Sequence, residues 1–212
     1  METFENVLIV GAHFDDAELG AGATAAKLVE MGKKVFKITL TDNVTKFEQK
    51  KINVDFDSSL LQSARACEIL GVKQLDFTPV PCNQLVYNTE TMQRIEKVIY
   101  DNNIDTLFMH FSSDMNNDHI AANQLCKTAG RHCRNLIQFQ SNGYVLDNVY
   151  YPTFFVDVTK YIERKKTALA CYGDEHNRFN RLFETSIDRC RVWGYANEVE
   201  YAEGFNVIKM LV

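Results

Sequence analysis

The chain has 212 residues, 46% of them hydrophobic and 24% charged, and a formal net charge of −5. This is an ordinary globular composition, and the length suits one domain over residues 1–212. Scattered Lys and Arg, outnumbered by Asp and Glu, exclude a nucleic-acid partner that tracks phosphates, and no stretch approaches the ~20 apolar residues of a membrane insertion.

Strand and helix signals alternate from the start. Val7 to Ala12 reads as a buried strand, Ala17 to Met31 as a helix closed by Gly32, and Lys34 to Leu40 as a second strand. Ser58 to Leu70 is helical and closed by Gly71. Leu75 to Val80 reads as a strand, Glu90 to Tyr100 as a helix, and Asp105 to His110 as a strand. His119 to Cys133 returns to helix and Leu136 to Gln140 to strand. Such alternation implies right-handed crossover units and an α/β, three-layer, Rossmann-like fold with a mainly parallel sheet. After Ser141 the pattern changes. A short β excursion in "YVLDNVYYPTFFVDV" leads to helices from Lys160 to Tyr172 and Arg178 to Val192, then to a final strand or arm, "YAEGFNVIKMLV". This is a C-terminal β/α appendage. The six cysteines form no CxxC pair and read as reduced core thiols. The first residues lack the basic start and apolar core of a secretion signal, so a cytoplasmic location is expected.

The first strand ends in "VGAHFDDAELG", where one histidine and two adjacent carboxylates stand at the mouth of the sheet. Open α/β sheets bind ligands beyond the carboxyl ends of their strands. Like charges side by side there call for a cation. His13 and Asp16 converge as the chain turns into its helix, but a catalytic zinc wants three protein ligands and water. "FMHFSSDMNNDHIAAN", residues 108 to 123, repeats the arrangement of strand, acidic loop and histidine at a helix start. His13, Asp16 and His119 would form a His₂Asp site suited to Zn²⁺, with Fe²⁺ and Mn²⁺ also compatible.

"AHFDDAELG" followed by "DMNNDH" resembles the LmbE/PIG-L family of zinc-dependent N-acetylglucosaminide deacetylases. The likeness continues in "LTD", "ILGV", "YPTFFVDVT" and "YAEGF". The resemblance implies a hydrolase that removes an N-acetyl group from a small-molecule amino sugar or sugar conjugate, a sugar nucleotide included. It implies His13, Asp16 and His119 as metal ligands and Asp15 as the general base that takes a proton from the attacking water and hands it to the departing amine. Family members often form trimers or hexamers, so a homo-oligomer is compatible, although these residues do not fix one.

Some positions depart from the family pattern. Phe14 replaces a proline. Asn116 stands where a histidine often assists the oxyanion with Asp118 behind it; an asparagine can donate a hydrogen bond but cannot carry a proton. Ser59 and Gln62 occupy positions where relatives often have Arg and Glu, and Tyr172 stands where many have a histidine. Residues 43 to 59 and 172 to 181 would then shape the pocket, with His176, Arg178 and Arg181 as contacts to a phosphate or carboxylate.

Plainer readings stand beside these. Asp118 and one of Asp15 and Asp16 suit helix capping, Asn116 a turn, His110 a strand end, and His132, Lys165 and Lys166 a solvated helix surface. A dinucleotide site is disfavoured, because "GAHFDD" puts two carboxylates where that fold cradles pyrophosphate. The alternative from another class is a sugar-binding relative that keeps the metal site with little turnover. A third is a metal-dependent hydrolase of a phosphoester.

Overall fold

The computed structural model describes residues 1, 3–50, 52–144, 148–173 and 182–211. Among these, a seven-stranded sheet is formed by β1 (Asn6–Gly11), β2 (Lys34–Thr39), β5 (Lys73–Gln74), β6 (Thr106–His110), β7 (Asn135–Phe139), β8 (Phe154–Asp157) and β9 (Ala202–Lys209). Its order is β5-β2-β1-β6-β7-β9-β8. The first five strands run parallel, whereas β9 pairs antiparallel with β7 and β8 antiparallel with β9. A separate hairpin, β3 (Thr45–Phe47) and β4 (Ile52–Val54), lies between β2 and the second helix.

The parallel strands read as continuous apolar runs because both faces are covered. Val7, Ile9, Val35, Phe108 and Ile137 join one core, with α1 (Asp16–Glu30), α2 (Phe56–Leu70), α5 (Ile162–Leu169) and α6 (Leu182–Ala196). Their neighbours Leu8, Val10, Phe36, Leu107 and Leu136 join the other, beneath α3 (Thr89–Asp101) and α4 (Asn117–Ala129). The alternation follows from the two-residue period of a strand. From β1 the chain proceeds outward to β2 and β5, then crosses back to β6 on the other side. The carboxyl ends of β1 and β6 therefore flank the switch point, where such sheets bind ligands. No described helix is long and apolar enough to cross a membrane.

Two expected elements differ. Leu75 to Val80 is not a strand: β5 stops at Gln74, and a single bridge from Thr41 to Val80 follows. Pro79 and Pro81 remove the amides that a longer ladder needs. Helix α4 ends at Ala129 rather than Cys133, with Gly130 as its C-cap; a Cβ there would lie 2.5 Å from Leu107, so the position takes only a glycine.

The C-terminal appendage is stitched into α1. A Cβ on Gly20 would overlap the Phe139 ring, and the next residue, Ala21, leaves helical geometry (φ −146°, ψ 17°). This break orphans backbone groups, which the appendage satisfies. Glu203 accepts from the Ala23 and Thr24 amides (3.2 and 2.7 Å), while Lys165 Nζ and Ser186 Oγ donate to the Leu19 carbonyl (both 2.8 Å). Lys165 also pairs with Glu203 at 2.7 Å, both side chains only 1% exposed. Lys165 is thus buried, not a solvated helix charge. The six cysteines are free.

Candidate metal centre

Strand β1 ends at Gly11, where a Cβ would stand 2.7 Å from the His13 carbonyl, so the turn into α1 closes only over a glycine. The His13 amide donates to Asp16 Oδ2 (2.7 Å). From below, the Phe14 carbonyl accepts from Lys37 Nζ (2.5 Å) and the Tyr172 hydroxyl (2.8 Å). Lys37 also bonds Glu18 (2.7 Å) and Ser63 (2.9 Å), all of them buried. Tyr172 is fully buried in this clamp, which places it under the loop instead of on the pocket wall.

Strand β6 brings the second half. Four donor atoms of three side chains meet between the two junctions, and one atom from each residue lies within 4.8 Å of the others. His13 Nδ1 lies 3.1 Å from His119 Nε2 and 3.4 Å from Asp16 Oδ2, and His119 Nε2 lies 3.3 Å from Asp16 Oδ1. A tetrahedral ion with ligands at 2.0–2.1 Å has edges of about 3.3 Å, so the spacing fits zinc. The far nitrogen of each histidine faces a carboxylate: His13 Nε2 donates to Asp118 Oδ2 (3.2 Å) and His119 Nδ1 to Asp114 Oδ2 (3.0 Å). Carboxylates only accept, so these bonds turn the lone pairs of Nδ1 and Nε2 inward. Two overlapping groups, His13–Cys82–Asp118 and His110–Asp114–His119, also bring three donor atoms together. Both would spend the outer carboxylate of a histidine as a ligand and lose this orientation.

The carboxylates are themselves tied. Asp114 accepts from Asn142 Nδ2 (2.7 Å) and the Asn116 amide (2.8 Å); Asp118 accepts from the Asn83 and Leu85 amides (2.7 and 3.1 Å). Asp118 therefore does not cap α4. Asn116 does, its Oδ1 accepting from the Asp118 amide at 2.8 Å. Sequence reasoning gave Asp114 no role, although it opens the "DMNNDH" segment and is the one carboxylate between His110 and Asp118. His110 ends β6, in line with its plainer reading. That ring is fully buried, accepts from the Ala12 amide (3.0 Å) and stacks on His119 at 4.0 Å.

The electrostatics is that of a cluster arranged around positive charge. Burial alone would lower the pKa of His13, yet its bonds to Asp118 and Asp16 outweigh it and hold the pKa well above the usual value. Burial likewise opposes the Asp16 charge and the Asp114 bond at His119, which still rises to about 9. Asp16 is held well below the carboxylate range, burial being outweighed by the charges of His119 and His110.

His13, Asp15, Asp16 and His119 face a cavity of about 340 Å³. Asp15 is 7% exposed. Residues 43–59, read as a loop, supply the β3–β4 hairpin, whose Thr45, Lys46 and Ile52 form one wall; Asn43, Asn116 and Tyr144 form others. Buried Ser59 anchors Asn43 (3.1 Å). His176, Arg178 and Arg181 lie outside the described residues.

The PIG-L family, GlcNAc-PI de-N-acetylase, matches residues 8–130, more than half of the chain and both histidine junctions. The chain belongs to this family. Solved structures agree in fold. The conserved protein TT1542 from Thermus thermophilus has a TM-score of 0.81 at 21% identity, covering 98% of this chain and 96% of its own. GalB, the 4-carboxy-2-hydroxymuconate hydratase of Pseudomonas putida KT2440, has 0.80 at 20%, covering 98% of each. The N,N'-diacetylchitobiose deacetylase of Pyrococcus horikoshii has 0.79 at 18%, covering 98% of this chain and 85% of its own. In this PIG-L chain the matched segment ends at Gly130, so the appendage that braces α1 lies beyond it.

Proposed function

We propose that this PIG-L chain is a zinc-dependent hydrolase that removes an N-acetyl group from an amino sugar or sugar conjugate, its residues 1–212 acting as one domain. One observation carries the reading: two histidines and one aspartate present donor atoms 3.1–3.4 Å apart at the switch point, each imidazole backed by its own carboxylate. The family description and the activity named for the Pyrococcus protein support it.

His13, Asp16 and His119 hold the ion. When bound, it supplies a Lewis acid that polarises the acyl carbonyl and makes water nucleophilic near neutral pH. Asp15, beside them in the cavity, takes the water's proton and returns it to the departing nitrogen. Asp114 and Asp118 hold the two imidazoles in the tautomers the site needs. Asn116 commits Oδ1 to the α4 cap and offers Nδ2 to the substrate carbonyl. It cannot carry a proton, so proton return rests on Asp15 alone.

The test is release of acetate and free amine from N-acetyl sugars and UDP-N-acetyl sugars by zinc-loaded protein. Release by the wild type, falling at least 100-fold in Asp15→Asn with zinc retained, supports the reading. Tight sugar binding without release favours the binding alternative. No release and no binding would overturn both.

A further inference from the structure

Phe14 lines a separate cavity of about 370 Å³, at the carboxyl ends of β2 and β5. It shares no lining residue with the metal cavity, although His13 and Asp15, on either side of Phe14, face that one. Phe56 and Phe77 also line the separate cavity, with Thr39, Gln74 and Asp76 among its polar residues. Thr39 ends β2 and Gln74 ends β5, so the sheet fixes where both stand. The rim is held as well: Arg94 stacks on the Phe77 ring at 4.4 Å and donates to the Thr78 carbonyl.

Three aromatic rings around one space suit a flat aromatic ligand, met by offset stacking or edge to face. The polar groups select the edge that ligand carries. Gln74 Oε1 accepts from Ser63 Oγ (2.8 Å), so the carboxamide has its Nε2 donors left to offer the cavity. Asp76, exposed at the rim, only accepts. Thr39 is 7% exposed, and its Oγ1 has no hydrogen-bond partner among the described residues, a hydroxyl that an occupant would satisfy. A ligand that answers all of these brings an acceptor to Gln74 and a donor to Asp76 from one aromatic edge. Adenine does so with N7 and its 6-amino group, whereas the same edge of a 6-oxopurine carries two acceptors.

We propose that this cavity binds an adenine base, free or as its nucleoside, with the rings among Phe14, Phe56 and Phe77. The site lies off β2 and β5, away from the turn whose carboxylates exclude pyrophosphate, and it does not depend on the hydrolysis proposed above.

The experiment is calorimetric titration of the zinc-loaded full chain with adenine, adenosine, hypoxanthine and inosine, with saturation-transfer NMR on the purine protons. Adenine or adenosine should bind saturably, about fivefold or more tighter than its 6-oxo counterpart. Tighter binding of adenine than of adenosine would identify the free base as occupant, and the reverse the nucleoside. Gln74→Glu, which keeps the Ser63 bond but offers acceptors in place of donors, and Asp76→Ala should each erase most of the preference. Thr39→Val should weaken binding several-fold without lowering the melting temperature, because the hydroxyl it removes is unpaired. Tyr144→Ala, in the metal cavity, should leave the affinity unchanged. No saturable binding, equal affinity for 6-amino and 6-oxo purines, or affinity lost in Tyr144→Ala and kept in Gln74→Glu would overturn the site.

Discussion

The two junctions that meet at the centre are held by different means. At β1–α1 the loop is clamped by buried charge, Lys37 with Glu18, acting with Tyr172 on the Phe14 carbonyl. At β6–α4 the loop is tied by amides: Asn116 caps the helix, Asn142 grips Asp114, and Asp118 takes two backbone amides across the site. The first junction presents its carboxylates, Asp15 and Asp16, to the cavity, while those of the second, Asp114 and Asp118, back the imidazoles. The difference is instructive. Where two acidic side chains face the reaction space, an ammonium below them fixes the backbone. Where they serve only to orient, neutral ties suffice.

The comparison can be broken first at Lys37. Lys37→Met strands the Glu18 carboxylate in the core, at a cost of about 3–5 kcal/mol, whereas Tyr172→Phe leaves Lys37 on the Phe14 carbonyl and costs about 1 kcal/mol. Urea denaturation compares the two; equal losses would mean that charge is not the clamp. At the second junction the loss should appear in the metal. Asp114→Asn and Asp118→Asn are expected to weaken zinc affinity about 10–100-fold, measured by chelator competition.

A pH series sharpens the same contrast. In metal-free protein the pKa of His119 stands at about 9, raised by the Asp16 charge and the Asp114 bond against burial. The stabilisation from its proton is fully present below the ordinary histidine pKa of about 6.5 and disappears as pH rises through about 9. Calorimetry after chelation should show the melting temperature falling across that window, with zinc-loaded protein not following it. The smallest effect belongs to the cap. Asn116→Ala should cost about 1 kcal/mol, and Asn116→Asp, which still caps, should cost less in stability while depressing turnover.

Much of this layout is legible in the chain. The β1–α1 unit can be read because a continuous apolar strand, a glycine and a histidine–carboxylate turn follow one another within a few residues. The second junction offers a related pattern without the glycine, an apolar strand to His110 and an acidic loop that ends in His119 at a helix start. What stays hidden depends on long-range pairing. Lys165 reads as solvent-facing until Glu203, 38 positions away, is folded against it. Tyr172 reads as a pocket residue until its hydroxyl is placed on a carbonyl 158 positions back. Asp114 stands out as the one carboxylate of its loop, but its bond to His119 Nδ1 shows only once α4 is placed. The β3–β4 hairpin has strands of three residues, too short for a two-residue alternation to declare itself.

Anomalous diffraction at the zinc edge, from crystals of the zinc-loaded chain, addresses the central claim most directly. The account predicts one strong peak per chain, about 2.0–2.2 Å from His13 Nδ1, His119 Nε2 and an Asp16 oxygen. A peak among His110, Asp114 and His119 or beside Cys82, or those three side chains holding no ion, would contradict it.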